Sequence, residues 1–266
     1  MNKKIPKKNS NGSVKVVVTG GAGFIGSNIT DALIDEGYEV HVIDNLSNGK
    51  KENVNPKAVF NEADICDLEK IKSIFKGAKY VFHEAALPRV QFSIEHPIES
   101  HEANINGTLN VLICAKDAEV KRVVYAASSS AYGDQPKLPL VETMIANPKS
   151  PYGLQKYIGE LYCRMFNVIY GLETVSLRYF NVYGQRISSK GAYSLVIAKF
   201  FDLKKKDKPM TITGDGTQTR DFTSVHDVVR ANLLAMKSKK VGKGEVMNIG
   251  AGRNFSVNKV AELIGG

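Results

Sequence analysis

Along the first two thirds of the chain, short β-branched runs alternate with longer stretches of helical periodicity. The run Val14 to Thr19 enters a glycine turn, an apolar helical pattern follows directly, and Glu39–Asp44 is the next hydrophobic run. Further strands are expected over residues 57–64, 79–83, 121–127 and 173–178, and helices over 67–75, 98–117 and Pro151–Tyr170. Regular βα alternation of this kind predicts the α/β class, a doubly wound parallel sheet with helices on both faces. Beyond Tyr179 the pattern loosens into loops, a helix near 195–203, a short strand over 210–213 and the turn Gly214-Asp-Gly216. That segment reads as a smaller C-terminal lobe. At its end Ser256 caps an amphipathic helix with apolar positions 257, 260, 263 and 264, which has barely begun when the sequence stops at Gly266; the lobe is expected to be truncated. The domain expectation is a disordered basic tail over 1–12, a main body over 13–178 and an incomplete lobe over 179–266.

The first turn carries the first chemical signal. Gly20, Gly23 and Gly26 hold a GxxGxxG spacing where a strand reverses into a helix. Residues without Cβ let a diphosphate approach backbone N–H groups at a helix N-terminus. Such glycines also serve any strand-turn-helix, but here the second strand ends in Asp44, 18 residues after Gly26, where a carboxylate can bind a ribose diol. The pair of features reads as a Rossmann-type dinucleotide site. Because Asp44 would repel a 2′-phosphate, NAD is expected rather than NADP.

Composition narrows the setting. The net charge is +9, from 36 Lys+Arg against 27 Asp+Glu, with Lys3, Lys4, Lys7 and Lys8 in a tail that has no acid. The remaining excess, about +5, suits an anionic nucleotide substrate, and neither nucleic acid nor a membrane is expected as a partner. Cys66, Cys114 and Cys163 are far apart, with no CxxC, so neither a metal nor a disulfide framework is expected, and a reducing cytoplasm fits. No window approaches the ~18 apolar residues that span a bilayer.

Tyr152 and Lys156 lie four residues apart after Pro151 and so project from one helical face. A phenol with a pKa near ~10 is a poor base at neutral pH, and a neighbouring ammonium would stabilise its phenolate. A bare YxxxK is ordinary on a surface helix. The serine run Ser128-Ser-Ser130 changes its weight, because it follows the fifth strand at the carboxyl edge where open α/β sheets bind ligands.

These residues bring in a resemblance. With Thr19-Gly-Gly-Ala-Gly-Phe-Ile-Gly26, Asp44-Asn45-Leu46, Asp64-Ile65, His83-Glu-Ala-Ala86, Asn104-Ile-Asn-Gly-Thr108, Arg178-Tyr-Phe-Asn-Val-Tyr-Gly184 and Arg220-Asp221-Phe222, the chain from about Lys15 to Ile264 resembles the extended short-chain dehydrogenases/reductases, in particular the NAD-dependent sugar-nucleotide epimerase/dehydratase family. The resemblance implies that Tyr152 is the catalytic acid/base, that Lys156 orients the nicotinamide ribose, and that Ser128, or failing it Ser129, assists. It implies Phe24, Ile25, Asn45, Asp64, Ile65, Ala85, Ala86, Asn104 and Tyr179 around the dinucleotide, and Ser130, Asn181 and Arg220 toward a UDP-sugar. Dehydratases of the family carry Asp-Glu after the catalytic hydroxyl, where this chain has Ser129 and Ser130, so dehydration is not expected. The segment Asn181-Val-Tyr-Gly-Gln-Arg through Lys190-Gly-Ala-Tyr193 resembles 4-epimerases acting on UDP-glucose and, more closely, UDP-N-acetylglucosamine. The expected activity is therefore 4-epimerisation through a transient 4-keto sugar. A UDP-glucuronate epimerase or decarboxylase, a sugar-nucleotide reductase and a non-catalytic NAD-binding homologue are the alternatives. The resemblance also implies a homodimer built on the 98–117 and Pro151–Tyr170 helices.

Overall fold

The computed structural model describes residues 12–187 and 196–265. Residues 1–11 of the expected 1–12 tail, the Lys190–Tyr193 segment and the helix start at 195 lie outside the described residues. In chain order the elements are β1 (Lys15–Thr19), α1 (Phe24–Asp35), β2 (Glu39–Asp44), β3 (Val59–Glu62), α2 (Leu68–Lys72), β4 (Tyr80–His83), α3 (Val90–Glu95) and α4 (Pro97–His101). A π-helical turn over Glu102–Asn106 joins α4 to α5 (Gly107–Asp117). Next come β5 (Arg122–Ser128), α6 (Pro151–Tyr170), β6 (Glu173–Tyr179), β7 (Val182–Tyr183), α7 (Val196–Lys205), β8 (Thr219–Asp221) and β9 (Thr223–Ser224). The chain closes with α8 (Val225–Lys237), β10 (Lys243–Ile249), β11 (Asn254–Ser256) and α9 (Val257–Ile264).

Seven strands form one parallel sheet in the order β10-β6-β5-β4-β1-β2-β3. The order reverses between β1 and β4, and at such a switch point the helices diverge to opposite faces and leave a crevice at the strand carboxyl ends. The central strands β1, β4, β5 and β6 are buried on both faces, as the interior of a parallel sheet requires. Val16, Val18, Phe82, Val124 and Leu177 pack with Ile29 and Leu33 of α1 and Val228 of α8 on one side. Val17, Val81, Val123 and Tyr125 pack with Val111 and Leu112 of α5 and Phe166 of α6 on the other.

Helix α6 forms where expected for local reasons. Ser150 accepts a hydrogen bond from the Gly153 N–H at 3.1 Å, Pro151 occupies the first turn, and Gly171 ends the helix in the left-handed conformation at φ +71. The expected strand over 210–213 does not form: no strand pairs with it, and Met210 and Ile212 turn instead toward a small apolar cluster of Ile197, Phe200, Phe222, Val260 and Ile264. That cluster, built on α7, α9 and Phe222, is the core of the smaller lobe. Helix α9 is capped by Ser256 at its start and followed by Gly265 at φ +92. Helix α8 packs on α1, and β10 adds the seventh strand beside β6. No helix among the described residues is long and apolar enough to cross a membrane.

Candidate active site

The glycine turn sits at the switch point. Gly20 has φ +70, and a Cβ there would stand 2.6 Å from the Ala85 backbone nitrogen; a Cβ on Gly26 would run into the Gly20 carbonyl. Both positions therefore exclude a side chain, so the turn can lie flush against the loop after β4. Gly23 caps α1, which has no side-chain cap and no acid in its first turn, so the first-turn N–H groups have no side-chain acceptor among the described residues. An uncapped helix N-terminus beside a glycine cradle fits the diphosphate of a dinucleotide.

Asp44 ends β2, and its two oxygens accept hydrogen bonds from the N–H groups of Ala22 at 3.0 Å and Leu46 at 2.8 Å. Burial raises its carboxyl and these donors work against that. The Asn45 amide donates to Asp64 at 2.8 Å, and Asp64 accepts from the Cys66 N–H at 2.8 Å. Burial would lift Asp64, but these donors outweigh it and hold the carboxyl below its ordinary value. Ile65 is buried beneath Gly107 of α5. Asp44, Asn45, Asp64 and Ile65 thus form one rim at the ends of β2 and β3.

Asn104 is placed differently from a residue that faces a ligand directly. Its side-chain oxygen accepts from the Leu87 N–H at 2.8 Å, and its side-chain nitrogen donates to the Leu87 carbonyl at 3.1 Å and to the Gln155 side-chain oxygen at 2.8 Å. It holds the loop containing Ala85 and Ala86. The π-helical turn over Glu102–Asn106 carries it, and no sequence signal marks that turn.

At the carboxyl end of β5, Ser128 accepts from the Ser130 N–H at 3.2 Å and is close enough to the Tyr152 phenol to bear on its ionisation. Ser129 and Ser130 continue into a single 3-10 turn. The Tyr152 N–H donates to the Ser93 hydroxyl at 3.0 Å, which fixes the start of α6 against α3. One helical turn on, the buried ammonium of Lys156 donates to the Ala126 carbonyl at 2.8 Å and lies 5.0 Å above the Tyr125 ring. The structure therefore brings Ser128, Tyr152 and Lys156 to one end of the sheet.

Their electrostatics depart from the expectation that Lys156 lowers the phenol. Burial pushes Tyr152 up to about 12, the Ser128 hydroxyl pulls it down and the Glu84 carboxyl pushes it up. Burial brings Lys156 down to about 8, with Glu84 working in the opposite direction. Glu84 itself is pushed up to about 7 by burial, against its hydrogen bond to Tyr179 and the attraction of Lys156. The missed member of the cluster is Glu84, since nothing in His83-Glu-Ala-Ala86 distinguishes its acid as facing inward.

Tyr179 ends β6 in register with Ser128, and its hydroxyl donates to Glu84 at 2.9 Å. Asn181 donates to the Asp221 carbonyl at 2.9 Å, while Arg220 is exposed and its guanidinium donates to the Thr219 carbonyl. Asp221, between them, binds the N–H groups of Ala251 and Gly252, each at 2.8 Å. No group of His, Cys, Asp and Glu among the described residues could hold a metal ion.

Comparison with known proteins agrees with this geometry. The sequence pattern of the NAD dependent epimerase/dehydratase family matches residues 16–250. A Methanocaldococcus jannaschii protein with the provisional name UDP-glucose 4-epimerase is 45% identical over 251 residues, 94% of this chain and 81% of its own. The solved structure of UDP-glucose 4-epimerase from Thermotoga maritima, with UDP-glucose, is 44% identical with a TM-score of 0.90 and covers 94% of this chain and 81% of that one. UDP-N-acetylglucosamine 4-epimerase from Methanobrevibacter ruminantium, in complex with UDP-N-acetylmuramic acid, is 40% identical with a TM-score of 0.90 over the same shares. A glycine-cradled dinucleotide crevice, a Ser-Tyr-Lys cluster and a match over residues 16–250 together define the chain as a member of the NAD dependent epimerase/dehydratase family.

Proposed function

We propose that this chain is an NAD-dependent 4-epimerase of a UDP-hexose or UDP-N-acetylhexosamine, the activity named for relatives at 40–44% identity. The observation that carries the reading is the convergence of Ser128, Tyr152 and Lys156 beside the uncapped N-terminus of α1. With its diphosphate held at that turn, NAD would supply reversible acceptance of a hydride from sugar carbon 4. The residues do the rest. Tyr152, its phenolate favoured when the positive nicotinamide is bound, would take the proton of the C4 hydroxyl and later return it, with Ser128, or failing it Ser129, hydrogen-bonding the reacting oxygen. Lys156 orients the ribose and contributes positive charge. Gly20, Gly23, Phe24, Ile25, Gly26, Asp44, Asn45, Asp64 and Ile65 bind the cofactor, and Ala85 and Ala86 do so from a loop that Asn104 positions. Tyr179 faces the same end of the sheet, and Ser130, Asn181 and Arg220 lie on the substrate side.

A homodimer is part of this proposal. Ile98 of α4 and Leu154, Leu161, Met165, Val168 and Ile169 of α6 are exposed apolar side chains, the kind of surface a second copy would cover. The three free cysteines agree with a reducing cytoplasm.

The test is to incubate the protein separately with UDP-glucose, UDP-N-acetylglucosamine and UDP-glucuronate and to quantify the C4 epimers. Epimer formation without net NADH is expected. Net NADH, or no epimer from either UDP-glucose or UDP-N-acetylglucosamine, removes the assignment.

A further inference from the structure

The segment that leaves β7 is fastened to the helix that opens at the glycine turn. Asn28, 5% exposed and one turn into α1, donates from its side-chain nitrogen to the Phe24 carbonyl at 2.8 Å and to the Gln185 carbonyl at 3.4 Å. The Gln185 side-chain nitrogen donates back to the Asn28 side-chain oxygen at 2.7 Å. Further along α1, Asp31 divides its two oxygens. One accepts from the Asn55 side chain at 2.7 Å, in the connection between β2 and β3, and the other pairs with the Arg186 guanidinium at 2.6 Å. The Asp31 and Arg186 side chains are 28% and 29% exposed, so water screens the pair incompletely. Arg186 holds φ +68, a left-handed conformation that costs any residue other than glycine. Gly184 has φ +149, and a Cβ there would run into Val225. The turn is thus wedged between the start of α8 and one face of α1.

We propose that Asn28 and Asp31 of α1, with Gln185 and Arg186, form a clasp of positioning residues that holds β7, and with it Asn181, at a fixed place relative to the dinucleotide turn, so that the UDP-sugar side of the site is ordered before the sugar nucleotide binds. The inference rests on the reading of Asn181 and Arg220 as the UDP-sugar side. Strand β7 pairs with β9 in a two-stranded sheet of its own, separate from the seven-stranded one. Its place over α1 is therefore set by side chains. Val182 packs in the same apolar cluster as Ile29, and the polar clasp fixes the residues that follow. At the other end of β7, the Asn181 side chain donates to the Asp221 carbonyl at 2.9 Å and the Asn181 carbonyl accepts from the Thr223 N–H at 3.1 Å. The segment is thus tied to the Arg220 side at one end and to the cofactor helix at the other. Opening the clasp frees a segment that must be ordered again when the ligand arrives, and that cost falls on affinity.

Calorimetric titration of the NAD-loaded protein with UDP reads the clasp without turnover. Arg186→Met and Gln185→Ala are each expected to weaken UDP binding by about threefold to tenfold, and to raise KM for the UDP-sugar in the same proportion while kcat falls by less. Asp31→Ala combined with Arg186→Met should be little worse than Asp31→Ala alone, because both break one pair. Lys237→Met separates positioning from plain structural support. Lys237 ties α8 to α1 through Glu36 at 2.7 Å, away from β7, and its loss is expected to leave UDP affinity at the wild-type level. UDP affinities of Arg186→Met and Gln185→Ala equal to that of the wild type, or an equal loss in Lys237→Met, overturn the proposal. A wild-type protein that binds no UDP at all removes the UDP-sugar reading and the clasp's role with it, an outcome distinct from binding that the variants leave unchanged.

Discussion

Arg178 of β6 and Glu160 of α6 form a two-pronged ion pair, with Nε and Nη2 donating to the two carboxylate oxygens at 2.8 and 2.7 Å and only 4% and 2% of the side chains exposed. The guanidinium also stacks 4.3 Å from the Tyr132 ring centroid. Glu160 lies one turn beyond Lys156, so this pair fastens the helix that carries Tyr152 to the strand that carries Tyr179. Removing one member leaves a bare buried charge. Arg178→Met is expected to lower unfolding stability by about 3–5 kcal/mol in urea titration, and adding Glu160→Met should recover most of that loss. A double variant as unstable as the single one would contradict a pairwise origin.

Tyr152→Phe keeps the ring and removes only the hydroxyl. Turnover is expected to fall at least about a hundredfold, the usual scale of a lost general acid/base, while cofactor retained through gel filtration stays at the wild-type level. Equal turnover would remove Tyr152 from the reaction. Loss of both turnover and cofactor would point to a binding role instead.

His83 makes stability depend on acid. Thr108 donates its hydroxyl to the Asn104 carbonyl at 2.7 Å, so it must accept from His83 Nε2 at 2.9 Å. Nδ1 is then the acceptor for the Thr19 hydroxyl at 2.7 Å, and Thr19 Oγ1 in turn accepts from the Ala85 N–H at 3.3 Å. A second ring proton would meet a donor. Burial accordingly brings the imidazole down to about 3. Between that value and ~6.5 the unfolded chain binds a proton that the folded chain refuses, so stability falls as pH falls, by up to about 1.4 kcal/mol per pH unit. Glu84 acts with the opposite sign between ~4.5 and about 7, being protonated more readily in the fold. Thermal melts of wild type and His83→Gln from pH 7 to 4 isolate the histidine. The variant should lose stability less steeply, and parallel curves would refute the assignment.

Arg122 at the start of β5 closes the end of α8. Its Nη1 donates to the carbonyls of Ala235, Met236 and Ser238, its Nη2 to that of Val241, and its Nε to Glu173 at 2.9 Å. A cation at a helix C-terminus satisfies carbonyls that have no intrahelical donor. Arg122→Met is expected to cost on the order of 3 kcal/mol, and Glu173→Gln, at a half-exposed position, well under ~1 kcal/mol. Urea midpoints for the two variants give the comparison.

Particular residues show how much of this was legible in the sequence. The strand-turn-helix at Gly20, the boundaries of α6 and the nearness of Tyr152 to Lys156 follow from local rules, because glycine, a capping serine and a four-residue spacing act over short distances. The 210–213 alternation misled, since three β-branched residues make a strand only when another strand lies beside them. Strand β10 and helix α8 escaped expectation because what defines them is contact with β6 and α1, far away in sequence. Glu84 and Gln155 were silent for the same reason: their roles depend on Tyr179 and Asn104, which only the fold delivers.

Gln155 stands between Tyr152 and Lys156 on α6 and accepts hydrogen bonds from both Ser100 and Asn104, while Asn104 grips the backbone of Leu87. The base, its lysine and the stretch beside the glycine cradle are thus welded into one unit by residues none of which belongs to the small lobe built on α7, α9 and Phe222. Descendants of this chain can remodel the distal lobe to accept a different sugar without retuning the machinery that oxidises it.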